Sequence, residues 1–167
     1  MKNNPVSRPD VVDAARDGRR KTILLVEDDA IIAMSERRRL EKHGYRVEVV
    51  HDAEHAVASG TDPAIDLILM DIDLGANRPD GTTAAERILR EREVPVVFLT
   101  SHSEREMVER VRGITRYGYV LKNAGEFVLV QSIETAFELF DAHLRVEREN
   151  EVRRRAESDS KMNEALY

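Results

Sequence analysis

Residues 67–74 read Leu67-Ile68-Leu69-Met70-Asp71-Ile72-Asp73-Leu74. Four consecutive large apolar residues that run into a carboxylate predict a short strand buried on both faces, with Asp71 at its carboxyl end. The pattern recurs on either side. Ile23-Leu24-Leu25-Val26 ends in Glu27-Asp28-Asp29, and Val96-Val97-Phe98-Leu99 ends in Thr100. Two less apolar stretches complete the set. Arg46–Val50 partly alternates, which suits a strand with one less buried side. Tyr117–Leu121 is the last strand and ends at Lys122.

Helical segments separate these strands. One runs from about Ala30 and stops at Gly44, a second covers about Ala53–Ser59 and stops at Gly60. A loop holding Gly75, Asn77, Pro79 and Gly81 leads into a helix to about Glu91, with Ala84, Ala85, Ile88 and Leu89 on one face. Ser103 and Glu106 form a capping-box pattern for a helix that ends near Gly113. From Glu126, Val130, Ile133, Phe137, Phe140 and Leu144 recur at helical spacing and should pack on the sheet. Beyond Leu144 the residues are mostly charged and the helix is expected to leave the domain; no clean heptad survives there. Alternating strands and helices imply an α/β fold, a parallel sheet covered on both faces.

Composition bounds the function. The chain has 167 residues, 41% hydrophobic and 35% charged, with net charge −6 and no cysteine. A core is affordable, disulfides and thiolate metal sites are excluded, and on this charge direct nucleic-acid binding is not expected. No apolar run is long enough to span a bilayer, and residues 1–21 hold no apolar signal core, so no membrane association and a cytoplasmic location are expected. We divide the chain into a flexible lead-in (1–21, with a short helical turn near Val11–Arg16), a domain (22–141) and a charged helical linker or dimerisation extension (142–167).

In open parallel sheets the ligand site lies beyond the carboxyl ends of the strands. Asp28, Asp29, Asp71, Thr100 and Lys122 all fall there. Clustered carboxylates repel unless a cation joins them. Mg²⁺ (or Mn²⁺) suits such oxygen donors: Asp28 and Asp71 as direct ligands, Glu27 through water, and a backbone carbonyl near Asp73. Asp71 can attack a phosphoryl group and form an acyl phosphate, while Lys122 and the cation neutralise the transferred oxygens and the Thr100 hydroxyl hydrogen-bonds one of them. Asp29 reads as a helix cap.

With ILLVEDD, LILMDIDL, VVFLTS and GYVLK in order, the stretch from about Lys21 to Phe140 resembles the receiver domains of bacterial response regulators and hybrid histidine kinases. The resemblance implies a flavodoxin-like doubly wound five-stranded sheet of order 2-1-3-4-5. It makes Glu27 and Asp28 the acidic pair, Asp71 the phosphorylation site, Thr100 the switch hydroxyl, Lys122 the phosphate-sensing lysine and Tyr119 the aromatic switch. It implies a histidine kinase or phosphotransfer protein as partner. The chain departs from the family where Asn123 follows Lys122 in place of proline, where Ser101 follows Thr100, and in the loop from Asp71 to Gly81, which is longer and carries Gly75 where proline is common.

Other readings attach to single residues. Asp73 and His102 either tune loss of the phosphoryl group or are solvated loop residues. His43, His51, His55 and His143 are scattered without metal-ligand spacing and read as structural or solvated. The rival function is an enzyme: LILMDIDLG also resembles the first motif of haloacid dehalogenase-type phosphohydrolases, with Asp71 as nucleophile and Asp73 as acid or base. That family needs an acidic pair after the lysine, whereas here the pair precedes Asp71. A flavodoxin-like cofactor module is disfavoured by acids where a phosphate loop would lie. Within the receiver reading, DIDLG, KNAGE and the long last helix resemble receivers at the N-terminus of sensor histidine kinases. A larger sensor kinase or response protein is therefore expected; the alternative is a stand-alone receiver that forms a homodimer through the last helix.

Overall fold

The computed structural model describes residues 18–75, 80–101, 105–115 and 117–167. Its strands are β1 (Thr22–Val26), β2 (Arg46–Val50), β3 (Leu67–Asp71), β4 (Val96–Thr100) and β5 (Tyr119–Leu121). They form one sheet of order β2-β1-β3-β4-β5, every pair parallel. The helices are α1 (Ala30–Lys42), α2 (Ala53–Gly60), α3 (Gly81–Glu91), α4 (Arg105–Arg112) and α5 (Glu126–Ala165). The expected flavodoxin-like arrangement is therefore the observed one.

Alternate residues of the central strands feed two cores. Leu24, Val26, Ile68, Met70, Val96 and Phe98 pack with Ala53, Ala56, Ala84, Ala85, Ile88 and Val111 of α2, α3 and α4. Ile23, Leu25, Leu67, Leu69, Val97 and Leu99 pack with Ala33 and Leu40 of α1 and Leu129, Ile133 and Ala136 of α5. This explains why β1, β3 and β4 read as unbroken apolar runs: each of their residues is buried. Edge strand β2 buries Val47 and exposes Arg46 and Glu48, as its partial alternation predicts.

One strand boundary differs from expectation. β5 begins at Tyr119 rather than Tyr117. The Tyr117 amide donates to the Thr115 hydroxyl (3.1 Å) and Gly118 takes φ +95°, so the chain turns there, while the Tyr117 ring meets Phe140 edge-on at 5.8 Å. The Ser103 cap and the Val11–Arg16 turn lie outside the described residues. Of the expected lead-in, Arg19 makes a two-pronged ion pair with Asp66, which also accepts from the Thr22 amide at 2.7 Å. Arg92, at the end of α3, donates to the carbonyls of Gly60, Asp62 and Ile65 and ties α3 to the turn before β3.

Helix α5 is 40 residues long, about 60 Å at the standard rise. Val130 and Ile133 are buried, Phe137 is partly buried against the core, and Leu144 is half-buried. Every residue from Arg145 onward is exposed. Glu151 pairs with Arg155 one turn on (2.9 Å), the order of charges that supports an isolated helix. Among the described residues no helix is long and apolar enough to cross a membrane.

Candidate functional site

The carboxyl ends of β1, β3 and β5 meet at one place. Asp71, the last residue of β3, and Glu27, immediately after β1, are each only 1% exposed. Lys122, immediately after β5, reaches both: its Nζ donates to Asp71 Oδ2 and to Glu27 Oε2, each at 2.7 Å. One oxygen from each of Glu27, Asp28 and Asp71 lies within 4.8 Å of the others. Asp28 is exposed at the rim. Asp29 does cap α1, accepting from the amides of Ile31 (2.8 Å) and Ile32 (3.0 Å), which leaves Asp28 to the cluster.

The loops hold the acids in place. The Asp73 amide donates to Asp71 Oδ1 (3.1 Å), and the Asp29 amide to Glu27 Oε1 (3.1 Å). His51 Nδ1 bonds the Glu27 carbonyl at 2.8 Å. Gly75, with φ +92°, sits where the family commonly has proline; a ring locked near −65° could not adopt this backbone. A Cβ on Gly75 would stand 3.6 Å from Asp28 Oδ2, so the loop lies directly against the acids. Gly81 is more constrained: a Cβ there would fall 1.9 Å from the Asp71 carbonyl oxygen. The first turn of α3 thus rests on the Asp71 backbone, held by the Gly81 amide donating to the Ile72 carbonyl (2.9 Å).

These distances set the electrostatics. Burial pushes the Asp71 carboxyl up to about 6; the Lys122 hydrogen bond opposes this and the Glu27 charge adds to it. Burial also works against the Lys122 charge, but its hydrogen bonds to Asp71 and Glu27 outweigh it and raise its pKa above the ordinary lysine value. Three carboxylates with one ammonium leave a net negative centre built of hard oxygen donors, which fits a small divalent cation.

The other expected site residues are more dispersed. Thr100 ends β4 and is buried (1% exposed), and its carbonyl accepts from the Lys122 amide at 2.9 Å. The side chain of Asp73 is exposed beside Asp71. Tyr119 lies on β5, opposite Phe98, and is 37% exposed; it lines a cleft with Val111, Arg112, Thr115 and Gly118. His102 lies outside the described residues.

Three features escape a reading of the sequence. Glu36 of α1 is buried at 7% exposure among core residues, with Oε2 lacking any hydrogen-bond partner. Burial, and after it the charge of Glu27, push its carboxyl up to about 7, while Lys122 pulls the other way. Its signal was present, since Ala33, Glu36 and Leu40 share one helical face, but the more apolar Ile31, Ile32 and Met34 point outward. Gly81 looked like an ordinary loop residue. His143, grouped above with the structural or solvated histidines, stands with Glu93 and Glu147 in a three-residue cluster.

Comparison with known proteins agrees with this geometry. Residues 23–134 match the family model of the response regulator receiver domain. The chain is 34% identical over 121 residues to the transcriptional regulatory protein PdtaR of Mycobacterium tuberculosis, covering 72% of this chain and 58% of that protein, so it spans little more than half the relative's length. The N-terminal domain of a response regulator/sensory box/GGDEF three-domain protein from Carboxydothermus hydrogenoformans is 45% identical, with TM-score 0.67, over 74% of this chain and 99% of that one. The receiver domain of a modulated diguanylate cyclase from Desulfovibrio desulfuricans G20 is 31% identical, with TM-score 0.67, over 75% and 99%. With its acidic pair just after β1, ahead of Asp71, and its lysine just after β5, the chain belongs to the response regulator receiver domain family of two-component systems.

Proposed function

We propose that Asp71 accepts a phosphoryl group from a phosphohistidine on a partner kinase or phosphotransfer protein. One observation carries this reading: a buried carboxylate at a strand end is held by an ammonium at 2.7 Å and flanked by two further carboxylates. An Asp71 oxygen attacks phosphorus, the phosphorus–nitrogen bond to the donor histidine breaks, and the imidazole leaves with its electron pair. Glu27, Asp28, Asp71 and the carbonyl at Asp73 would hold Mg²⁺ or Mn²⁺. When bound, the cation supplies charge neutralisation for the transferred oxygens. Lys122, already paired to Asp71, follows the same charge onto the phosphoryl oxygens.

The exposed side chains of Ile31 (81%), Ile32 and Met34 (54%) lie in the first turns of α1, just after Asp29, and offer apolar surface beside the site, suited to docking the donor. After transfer, the Thr100 hydroxyl moves to a phosphoryl oxygen and Tyr119 turns inward from its half-exposed position. The face built from α4, β5 and α5 changes its binding preference by a shift of population. Asp73 and His102, each two residues beyond Asp71 and Thr100, set the lifetime of the acyl phosphate. Residues 22–141 act as the receiver unit, and residues 142–167 carry its state along α5 to a further sensory or output domain. The full exposure of α5 beyond Leu144 and the multidomain relatives support this.

Incubation with acetyl phosphate and Mg²⁺, followed by intact mass, tests the reading. The expected result is one added phosphoryl group that chelation of the metal prevents. Repeated turnover of small phosphate esters, without a stable adduct, would instead favour the phosphohydrolase reading of Asp71 and Asp73.

A further inference from the structure

His143 and Glu147 lie one turn apart on α5, and Glu93 reaches them from the link between α3 and β4. His143 Nε2 stands 3.3 Å from Glu147 Oε1 and 3.9 Å from Glu93 Oε1, and one donor atom from each of the three lies within 4.8 Å of the others. A tetrahedral ion with bonds near 2.0–2.1 Å needs donors about 3.3 Å apart. The helical pair already meets that spacing, and the Glu93 side chain, more than half exposed, needs only a small closure. Glu93 and His143 also border a cavity of about 200 Å³ lined by Leu89, Val94, Phe140 and Thr115, which leaves room for a water as fourth donor.

We propose that Glu93, His143 and Glu147 form a second metal site, selective for a borderline divalent transition ion of the Zn²⁺ class. The donor set separates it from the Asp71 cluster. An imidazole with two carboxylates favours Zn²⁺ or Co²⁺ over Mg²⁺, which takes oxygen donors and keeps its waters. The place in the fold gives the site a consequence. Glu93 precedes β4, so the cluster sits at the sheet edge opposite Asp71. Phe140, one turn before His143, packs edge-on against Tyr117, and from Arg145 the helix is fully exposed. A bound ion would clamp α5 to the domain where the helix departs and would fix the direction of the extension.

The test is a Zn²⁺ titration of the full chain by calorimetry, with Mg²⁺ saturating, followed by Co²⁺ and its visible absorption. Wild type is expected to bind one equivalent, with the absorption of a four-coordinate site. Affinity should fall at least tenfold in His143→Ala and in Glu147→Gln, and persist in Asp28→Asn, which alters only the other cluster. Circular dichroism of each variant establishes that it is folded; Glu147 is half exposed, so its substitution leaves the core intact. Zn²⁺ should raise the melting temperature of wild type and not of His143→Ala. Equal affinity in His143→Ala, loss confined to Asp28→Asn, or no uptake by wild type would each overturn the proposal.

Discussion

Replacing Glu36 by leucine should stabilise the domain, and by an amount that depends on pH. In the folded chain the Glu36 carboxyl holds its proton up to about pH 7, against 4.5 for an ordinary glutamate, because it is buried without a partner for Oε2 and faces Glu27. Between those two values folding takes up a proton at Glu36, so this residue's contribution to stability falls as pH rises and levels off above the folded value. From the two values, the cost is below about 1 kcal/mol near pH 5 and about 3 kcal/mol near pH 8. Leucine at this position would join Ala33 and Leu40 on the buried face of α1. Urea unfolding with metal chelated, at about pH 5 and about pH 8, should therefore show the gain from Glu36→Leu grow by roughly 2–3 kcal/mol between the two conditions. The ionisation of Asp71 is common to both proteins and largely drops out of the difference. A gain that is the same at both pH values would mean that Glu36 is not a proton-holding group in the folded state.

Three further outcomes follow from the site. Gly81→Ala should lower stability by roughly 1–3 kcal/mol and the melting temperature by several degrees, since its Cβ must displace the Asp71 backbone; calorimetry checks this. Lys122→Met should slow phosphoryl acceptance from acetyl phosphate by roughly 10²-fold, the usual effect of losing one preorganised charge partner, in a timed mass assay. Without added metal, the Asp71 carboxyl should take up a proton as pH drops through about 6, and Lys122→Met should move that midpoint upward; the amide and carboxyl resonances of residue 71 report it.

Much of this was legible in the sequence because local chemistry and tertiary role coincide. Ile23–Val26, Leu67–Met70 and Val96–Leu99 are apolar throughout because both faces of each strand are covered, and the polar residue that ends each run falls at the sheet edge for the same reason. Asp28, Asp71 and Lys122 could be brought together on paper from strand order alone. What could not be read is what depends on contacts between distant segments. Glu93 and His143 are fifty residues apart in the chain, and only the packing of α5 past the start of β4 makes them neighbours. Gly81 is indispensable because of a carbonyl ten residues earlier, a contact with no local signature. Glu36 was hidden for a different reason: the apolar residues of α1 suggest a buried face through Ile31 and Met34, but these are exposed, and packing against the sheet selects the face of Ala33 and Leu40. Tyr117 breaks the predicted last strand because its ring finds Phe140.

Asp71, rather than any neighbouring carboxylate, is proposed to carry the phosphoryl group. Borohydride reduction of the chain after treatment with acetyl phosphate and Mg²⁺, followed by peptide mass spectrometry, locates the acyl phosphate directly, because the reagent converts a phosphorylated aspartate to homoserine. Homoserine is expected at residue 71 alone, with none in Asp71→Asn. Homoserine at residue 28 or 73, or unmodified peptides under conditions that label another receiver, would contradict it.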